Sequence, residues 1–463
     1  MIERLKEVLG PRRVTTARDD LDNWGRDWTR TFVVAPGAVV FPETVPEVVA
    51  ITRLANEEGF ALVPSGGRTG LSGGAVASRG EVVVSFDRMN RILDFNAADR
   101  VVRCQAGVVT AAVHAFAQDK GLYYPVDFSS SGSSQIGGNV ATNAGGINVI
   151  RYGMTRDWVA GLTVVTGTGE VLELNRALVK NATGYDLRHL FIGSEGTLGF
   201  VVEAELRLTE RPAPSRVMVL GLDRMKDILS VLTRFQAGAT LSAFEFFSEL
   251  AVERVTRHRS LARPLGSSSA FYALLEFDGD DESAALAAFE DALAAGWVSD
   301  GVMSQSDAQA RALWALREGI TESIAPETPY KNDLAVRIAD VPGFLDDVDQ
   351  AVGRLYPDLE ICWFGHIGDG NVHLNILKPP GLTAGDFYAR CDAISPELFK
   401  LVSSRGGSIS AEHGVGLLKR DFLKFSRSAA EIEIMCAVKD ALDPNGVMNP
   451  GKLLPDRGRE RVQ

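Results

Sequence analysis

An α+β fold is what the sequence predicts, on three observations. The chain has 463 residues, enough for two or three domains. Up to about residue 211, β-rich runs alternate with loops crowded with glycine and serine, at 65–74, 131–146 and 193–199. Pro212 and Pro214 then punctuate the chain. Beyond them strand-like and helical runs alternate, the pattern of an α+β domain on a mixed or antiparallel sheet.

Taken in order, residues 1–33 read as helical, with Trp24 and Trp28 near the end. Residues 38–42 form a short strand, and 45–59 a helix that stops at Gly59. The strand 61–64 runs into the first glycine-rich loop, and 82–86 and 101–104 follow as β-rich runs. A hairpin is expected from 162–165 and 171–174 around Thr166-Gly167-Thr168-Gly169, and a strand at 200–206 after the third loop. Beyond Pro214, strands are expected at 217–222, 243–247, 270–277, around Trp363 and at 372–377. Helices are expected at 225–235, 308–321 and 341–356, with an alanine-rich covering helix at 283–295. A last helix at 429–442 ends at Asp443-Pro444-Asn445-Gly446. The expected parts are therefore 1–33, 34–213, 214–409 and 410–463.

The formal net charge of -12 argues against a nucleic-acid binder, which needs a basic face, and against a polybasic membrane anchor. The four cysteines, Cys104, Cys362, Cys391 and Cys436, are scattered without a C-x-x-C pair, as suits a reducing cytoplasm. The N-terminal stretch is amphipathic and acidic rather than a signal peptide, and no apolar run is long enough to span a bilayer.

Loops dense in glycine and serine expose backbone N–H groups, which can cradle a diphosphate without a lysine. Three of them in one domain suggest an extended cofactor with a diphosphate in its middle. The G-x-G-x-x-G pattern is missing, which disfavours a nicotinamide cofactor. Gly446-Val447-Met448-Asn449-Pro450-Gly451-Lys452 mimics a P-loop, but Leu453 stands where Ser or Thr would hold magnesium, so an NTPase is rejected.

Three of the chain's six histidines fall in two short pieces, His366 and His373 within Gly365–Asn375 and His413 in Ser410-Ala411-Glu412-His413-Gly414. His366, His373 and Glu412 form a ligand set for a divalent metal, with His413 beside it as a base. The alternative is that His366 and His373 are ordinary histidines near a turn. His114, His189 and His258 read as surface or core residues, and Trp314 and Trp363 as packing.

The loop Pro64-Ser65-Gly66-Gly67-Arg68-Thr69-Gly70 and the segments 132–146 and 193–199 resemble the FAD-binding domain of the vanillyl-alcohol oxidase and p-cresol methylhydroxylase superfamily. Residues 365–375, 410–414 and Asn449-Pro450-Gly451-Lys452-Leu453 resemble its 2-hydroxy-acid dehydrogenase branch. That branch holds D-lactate dehydrogenases, the glycolate oxidase flavoprotein subunit and D-2-hydroxyglutarate dehydrogenases, the last being the nearest match. The resemblance runs from about Trp24 to Leu454. It implies a two-subdomain FAD-binding domain over 34–213, an α+β cap on a large antiparallel sheet over 214–409, and a C-terminal segment, 410–463, that returns to the flavin.

The resemblance implies the following roles. Pro64, Gly66, Gly67, Arg68, Thr69, Gly70 and Leu71, with Gly132, Ser133, Gly137 and Gly138, hold the diphosphate side of FAD. Thr142, Asn143, Gly145, Gly146 and Gly153 line the flavin and its ribityl chain. Glu195, Gly196, Gly199 and Val201 hold the adenosine end, and Asn449 returns to the flavin. Some members attach FAD covalently through a histidine where this chain has Arg68, so the FAD is expected to dissociate. His366, His373 and Glu412 become the metal set, zinc first with manganese or cobalt as alternatives. A divalent cation chelates the hydroxyl and carboxylate of a 2-hydroxy acid and lowers the hydroxyl pKa. His413 takes the hydroxyl proton, and the carbon gives its hydride to the flavin.

Arg317 and Thr321 are four apart and share a helix face, and Lys331 follows a short loop broken by Pro326 and Pro329. By themselves Arg317 and Lys331 read as solvated surface charges. The resemblance reverses this: Arg317, Thr321 and Lys331 clamp a distal carboxylate, and Asn375 bonds the proximal one. The implied reaction is oxidation of D-2-hydroxyglutarate to 2-oxoglutarate by a cytoplasmic homodimer, with electrons passed to electron-transfer flavoprotein or a quinone-linked carrier. D-malate, D-lactate and glycolate are the alternative acids. A zinc hydrolase and a silent nucleotide-binding protein are the alternative classes.

Overall fold

The computed structural model describes residues 1–455 and divides into two compact units. The last eight residues of the expected 410–463 segment lie outside the described residues. Unit 1 comprises Met1–Gly146, Gly153–Arg211 and the described residues from Glu412 on, and unit 2 comprises Ile147–Tyr152 and Pro212–Ala411.

Unit 1 contains two sheets. The first has four strands in the order Val14–Thr15, Ala38–Val40, Val82–Ser85, Leu62–Ser65; the last three are parallel. Parallel strands need a crossover, and the helix Val45–Glu58 supplies it. Its limits are written locally. Thr44 and Glu47 form a capping box at its start, and Gly59 ends it at φ 72°, where a side chain would be strained. Val48, Ile51, Leu54 and Ala55 of this helix pack with Val40, Val82, Val84 and Leu62 in one apolar core. The second sheet is antiparallel, in the order Ile92–Asn96, Val101–Gln105, Gly199–Arg207, Val159–Thr166, Val171–Leu174. The expected hairpin is its last strand pair, with Leu162 opposite Leu174. The helix Ala429–Leu442 starts at a capping box of Ser428 and Glu431. After it the chain returns to the first sheet, where Leu62 and Met448 form a parallel bridge.

Unit 2 is built on a seven-stranded sheet in the order Asp300–Met303, Ser215–Leu222, Phe271–Asp278, Leu241–Ser248, Glu360–His366, Asn371–Leu377, Tyr330–Ala335. Every pairing is antiparallel, which settles the mixed-or-antiparallel choice. The helices Glu249–Arg259, Asp307–Glu318 and Ile320–Ile324 share an apolar core with Ala243, Phe247, Cys362 and Phe364, and so cover one face of this sheet. The helices Ile228–Gln236 and Glu282–Ala294 pack as one pair, Val341–Leu355 and Ala384–Ser404 as another.

Several expectations need correction. Residues 1–33 are not one helical segment: Pro11 and the strand Val14–Thr15 divide the helices Ile2–Leu9 and Arg18–Trp24. The helix expected at 308–321 ends at Glu318, and Gly319 separates it from Ile320–Ile324. Arg317 and Thr321 therefore stand on different helices. The helix Ile136–Thr142 lies in what reads as a glycine-rich loop, because Gly137 and Gly138 lower its apparent propensity. The helix Ala384–Ser404 escapes notice because Pro396 sits inside it. Among the described residues, no helix is long and apolar enough to cross a membrane.

Candidate active site

In unit 1 the three glycine-rich segments meet around one cavity. Its wall carries Pro64, Gly66, Gly67, Arg68, Thr69, Gly70 and Leu71 from the first, Gly137, Gly138, Thr142, Gly145 and Gly146 from the second, and Glu195, Gly196, Gly199 and Val201 from the third. Glu412 and His413 stand on the same wall. The first loop starts at the carboxyl end of the parallel strand Leu62–Ser65, a usual place for a ligand in such sheets.

Glycine is needed here for close approach. A Cβ on Gly67 would meet the backbone oxygen of Ser133 at 2.1 Å, so no other residue lets these two loops touch. Gly138 differs: a Cβ there meets nothing within 4 Å, so its missing side chain leaves open space at the cavity wall. Gln135 was not foreseen as a site residue. It lines the cavity and donates to Asp87 at 2.8 Å, while its buried Oε1 has no hydrogen-bond partner. A buried acceptor without a donor is a cost that a ligand relieves. Phe128, Ser129 and Ser130 also line the cavity and were not foreseen.

Five expected cofactor residues do not lie on this wall: Gly132, Ser133, Asn143, Gly153 and Asn449. Two of them brace it. Asn143 ends the helix Ile136–Thr142 at φ 52° and accepts from the Arg156 amide at 2.9 Å. Asn449 donates to the carbonyls of Gly74 at 2.9 Å and Glu195 at 2.7 Å, and so links two loops that do line the cavity. Lys452, the lysine of the mock P-loop, is buried 3.8 Å from Glu81, with its pKa lowered to about 8 by burial. That residue serves the fold.

Glu195 holds the segment that carries the candidate base. Its two carboxylate oxygens accept from the amides of Val415 and Gly416, each at 2.7 Å. Gly414 presses on the same carboxylate, where a Cβ would come within 2.9 Å. The amide of Gly146 donates to Glu412 Oε1 at 3.1 Å. Burial pushes the Glu195 pKa up to about 7, and the two amide bonds only partly oppose it. A carboxyl with a raised folded-state pKa favours the folded state most below its unfolded pKa. That advantage is lost as pH rises through the folded value. The stability of the FAD-free wild type relative to Glu195→Gln should therefore fall between about pH 4.5 and about pH 7, by at most about 1.4 kcal/mol per pH unit. Unfolding curves across that window check this, and a flat difference would contradict it.

In unit 2 the register gathers the other candidates. Lys331 lies opposite Asn375, Asp333 opposite His373, Phe364 opposite His373, and Phe247 opposite Phe364. Alternate residues share a face, so Glu245, His366, His373, Asn375, Lys331 and Asp333 all belong to the sheet face that the three helices cover. The rings of His366 and His373 are 5.2 Å apart, nearly perpendicular. His366 Nδ1 is 2.7 Å from Glu245 Oε1, and His373 Nδ1 is 3.6 Å from Asp333 Oδ1. Burial opposes the charge on Glu245, but His366 and Arg317 outweigh it and hold the carboxyl below its usual range. It is thus the acceptor, and His366 Nδ1 the donor.

Arg317 descends from its helix onto this face. It is buried, its Nε lies 2.9 Å from Glu245 Oε2 off the line of a hydrogen bond, and its guanidinium stacks 4.7 Å over Phe364. The reading of Arg317 as a solvated charge is thereby overturned. Lys331 and Thr321 are exposed; desolvation of the Lys331 ammonium still lowers its pKa. Asn375 is buried and donates to the carbonyls of Cys362 and His373 at 3.3 and 3.0 Å. Among the described residues, no three His, Cys, Asp or Glu side chains stand assembled as a metal-binding group.

Residues 36–175 match the family described as FAD binding domain, and 211–453 the family described as FAD linked oxidases, C-terminal domain. D-2-hydroxyglutarate dehydrogenase of Stutzerimonas stutzeri is 57% identical over 456 residues, covering 98% of each chain. A protein of the same name from Xanthomonas citri is 54% identical over 97% of this chain and 96% of its own. The structure of p-cresol methylhydroxylase with substrate bound superimposes with a TM-score of 0.79 over 98% of this chain and 96% of that one, at 15% identity. With the two family matches, that likeness shows the fold to be the vanillyl-alcohol oxidase type, an FAD-binding domain with an α+β cap. The chain belongs to the FAD-linked oxidase family, in the group that contains the D-2-hydroxyglutarate dehydrogenases.

Proposed function

We propose that the protein oxidises D-2-hydroxyglutarate to 2-oxoglutarate with dissociable FAD and a divalent metal, zinc first. The observation that carries the reading is the wall of the unit 1 cavity, where the glycine-rich segments of the FAD-binding domain meet Glu412 and His413. The open space at Gly138 and the unpartnered Oε1 of Gln135 fit a bound cofactor. Arg68 offers no nucleophile for a covalent link, which supports a dissociable one.

His366, His373 and Glu412 are the assigned metal ligands. His366 has its Nδ1 on the buried carboxylate of Glu245 at 2.7 Å, an arrangement that fixes its tautomer and leaves Nε2 as the ligating nitrogen, and His373 has its Nδ1 3.6 Å from buried Asp333. A divalent ion held there supplies a positive charge that makes the substrate hydroxyl more acidic. FAD, when bound, is the two-electron acceptor. The remaining work falls to the chain. His413 removes the hydroxyl proton as the hydride leaves the adjacent carbon. Asn375 turns the amide hydrogen of its longer bond, to the Cys362 carbonyl at 3.3 Å, to the proximal carboxylate, and Arg317, Thr321 and Lys331 bind the distal one. Electrons then pass to a carrier such as electron-transfer flavoprotein. The chain works as a homodimer in the cytoplasm.

Steady-state assays with a dye acceptor should rank D-2-hydroxyglutarate first by kcat/KM, D-malate second, and D-lactate and glycolate well below. A tenfold preference for any other acid would transfer the substrate assignment to that acid. Chelation should abolish turnover and leave FAD bound, and zinc, manganese or cobalt should restore it. Full activity in a preparation shown by elemental analysis to be metal-free would remove the metal from the mechanism.

A further inference from the structure

Asp87 follows the parallel strand Val82–Ser85 and gathers three side chains of unit 1. Its Oδ1 accepts from Gln135 Nε2 at 2.8 Å. Its Oδ2 accepts from the Trp24 indole N–H at 2.7 Å and, more loosely, from Arg68 Nη1 at 3.5 Å. The Arg68 guanidinium lies 5.5 Å over the Trp24 ring, and its Nη1 also donates to the Gly66 carbonyl at 2.9 Å. A carboxylate accepts and does not donate, so Gln135 meets Asp87 with its NH2 group and turns its Oε1 the other way. That oxygen lies on the Gly66 side, where a Cβ built on Gly66 would meet it at 3.4 Å. Gln135 is 6% exposed, and its Oε1 has no hydrogen-bond partner. Gln135 also stands at the start of the helix Ile136–Thr142, yet its side chain does not cap that helix.

We propose that Gln135 binds the cofactor, its Oε1 accepting from a sugar hydroxyl of FAD, and that Asp87 is the residue that positions it. The proposal rests on the FAD reading above. The diphosphate is not the partner of Oε1, because its oxygens are acceptors too. Gly66 belongs to the loop assigned to the diphosphate, and the groups that flank a diphosphate in FAD are the ribityl chain and the adenosine ribose. Both carry hydroxyls, which donate. Burial makes an unmet acceptor costly, and a hydroxyl donor removes that cost. Asp87 is not on the cavity wall, and it acts through the orientation of the amide. Trp24 and Arg68 engage Oδ2, which leaves Oδ1 for Gln135. In Asp87→Asn the same two donors draw the introduced carbonyl oxygen to their side, so the introduced NH2 faces Gln135. The Gln135 amide must then turn over to accept from it, and presents NH2 where Oε1 stood. A residue behind the wall thus decides whether the wall offers an acceptor or a donor.

The test strips FAD from the full chain and measures its rebinding by the change in flavin fluorescence, with FMN and ADP as competitors. Gln135→Met keeps the length of the side chain and removes the carbonyl. It should weaken FAD roughly three- to tenfold, the loss of one neutral hydrogen bond. Its unfolding midpoint without FAD should hold while the rise that FAD produces shrinks, whereas a merely structural role would lower the midpoint itself. Asp87→Asn should weaken FAD by the same factor or less, and should add nothing in the Gln135→Met background, because it acts through the same amide. Loss of affinity for FMN and not ADP in Gln135→Met assigns the hydroxyl to the ribityl chain, and the reverse assigns it to the ribose. Equal losses for both halves, or for neither, overturn the hydroxyl contact. Additive losses in the double variant overturn the positioning role of Asp87. If Gln135→Met does not fold, Asp87→Asn carries the test, and its loss must fall on FAD and on one half alone. FAD affinity within about twofold of wild type in folded Gln135→Met, below the loss of one hydrogen bond, overturns the proposal and leaves the FAD reading intact. A wild type that binds no FAD overturns the FAD reading, and the proposal with it.

Discussion

His413→Ala lowers the single-turnover rate of flavin reduction by ~10²–10⁴, the usual contribution of a general base, while substrate binding changes far less. The expectation rests on where His413 stands. It is on the cavity wall of unit 1, on a segment that Glu195 holds through the amides of Val415 and Gly416. Proton removal matters in the transition state and little in the ground state, so the loss should appear in the reduction rate rather than in the dissociation constant. Stopped-flow reduction over a range of D-2-hydroxyglutarate concentrations separates the two. A rate within about tenfold of wild type would fall short of a general base and assign the proton elsewhere.

Arg317→Ala narrows the preference between D-2-hydroxyglutarate and D-lactate. A charge-assisted bond to a desolvated carboxylate is worth roughly 1.5–3 kcal/mol, so kcat/KM toward the dicarboxylate should fall roughly ten- to a hundredfold or more. D-lactate has no distal carboxylate and should be little affected. The burial of Arg317 sharpens the expectation, because a buried guanidinium binds its partner with less competition from water. It also sets a control: the mutation leaves Glu245 without its cation, so the unfolding midpoint must be followed alongside the kinetics. Lys331→Ala should act in the same direction and more weakly, since Lys331 is exposed. Equal losses on both acids would mean that Arg317 supports the fold alone.

The sequence exposes what is local and hides what is assembled. Gly67 and Gly196 are legible because close approach requires glycine: a Cβ at either would strike a neighbour at 2.1 or 2.4 Å. The helix Val45–Glu58 is legible because its capping box and terminal glycine lie in the chain itself. Ile136–Thr142 is not, since a helix with two adjacent glycines depends on tertiary packing, here of Ile136 and Val140 in a core with Val108 and Ile192. His366 stands out by composition, yet Glu245, its hydrogen-bond partner, is 121 residues away and is brought to it only by strand register. Arg317 reads as a surface charge until the fold sets it over Phe364 and against Glu245. Asn449 is assigned to the flavin by resemblance alone, and the bonds by which its amide also ties Gly74 to Glu195 span 375 and 254 residues, a distance no local pattern reveals.

Anaerobic mixing of the FAD-loaded, metal-replete protein with stoichiometric D-2-hydroxyglutarate tests the central claim most directly. The account predicts loss of the oxidised flavin's visible absorbance, with 2-oxoglutarate formed in equal amount to the flavin reduced, and much slower bleaching by D-lactate and glycolate. A flavin that stays oxidised with D-2-hydroxyglutarate but bleaches with another 2-hydroxy acid would contradict the substrate assignment. A purified protein that takes up no flavin would contradict the account as a whole.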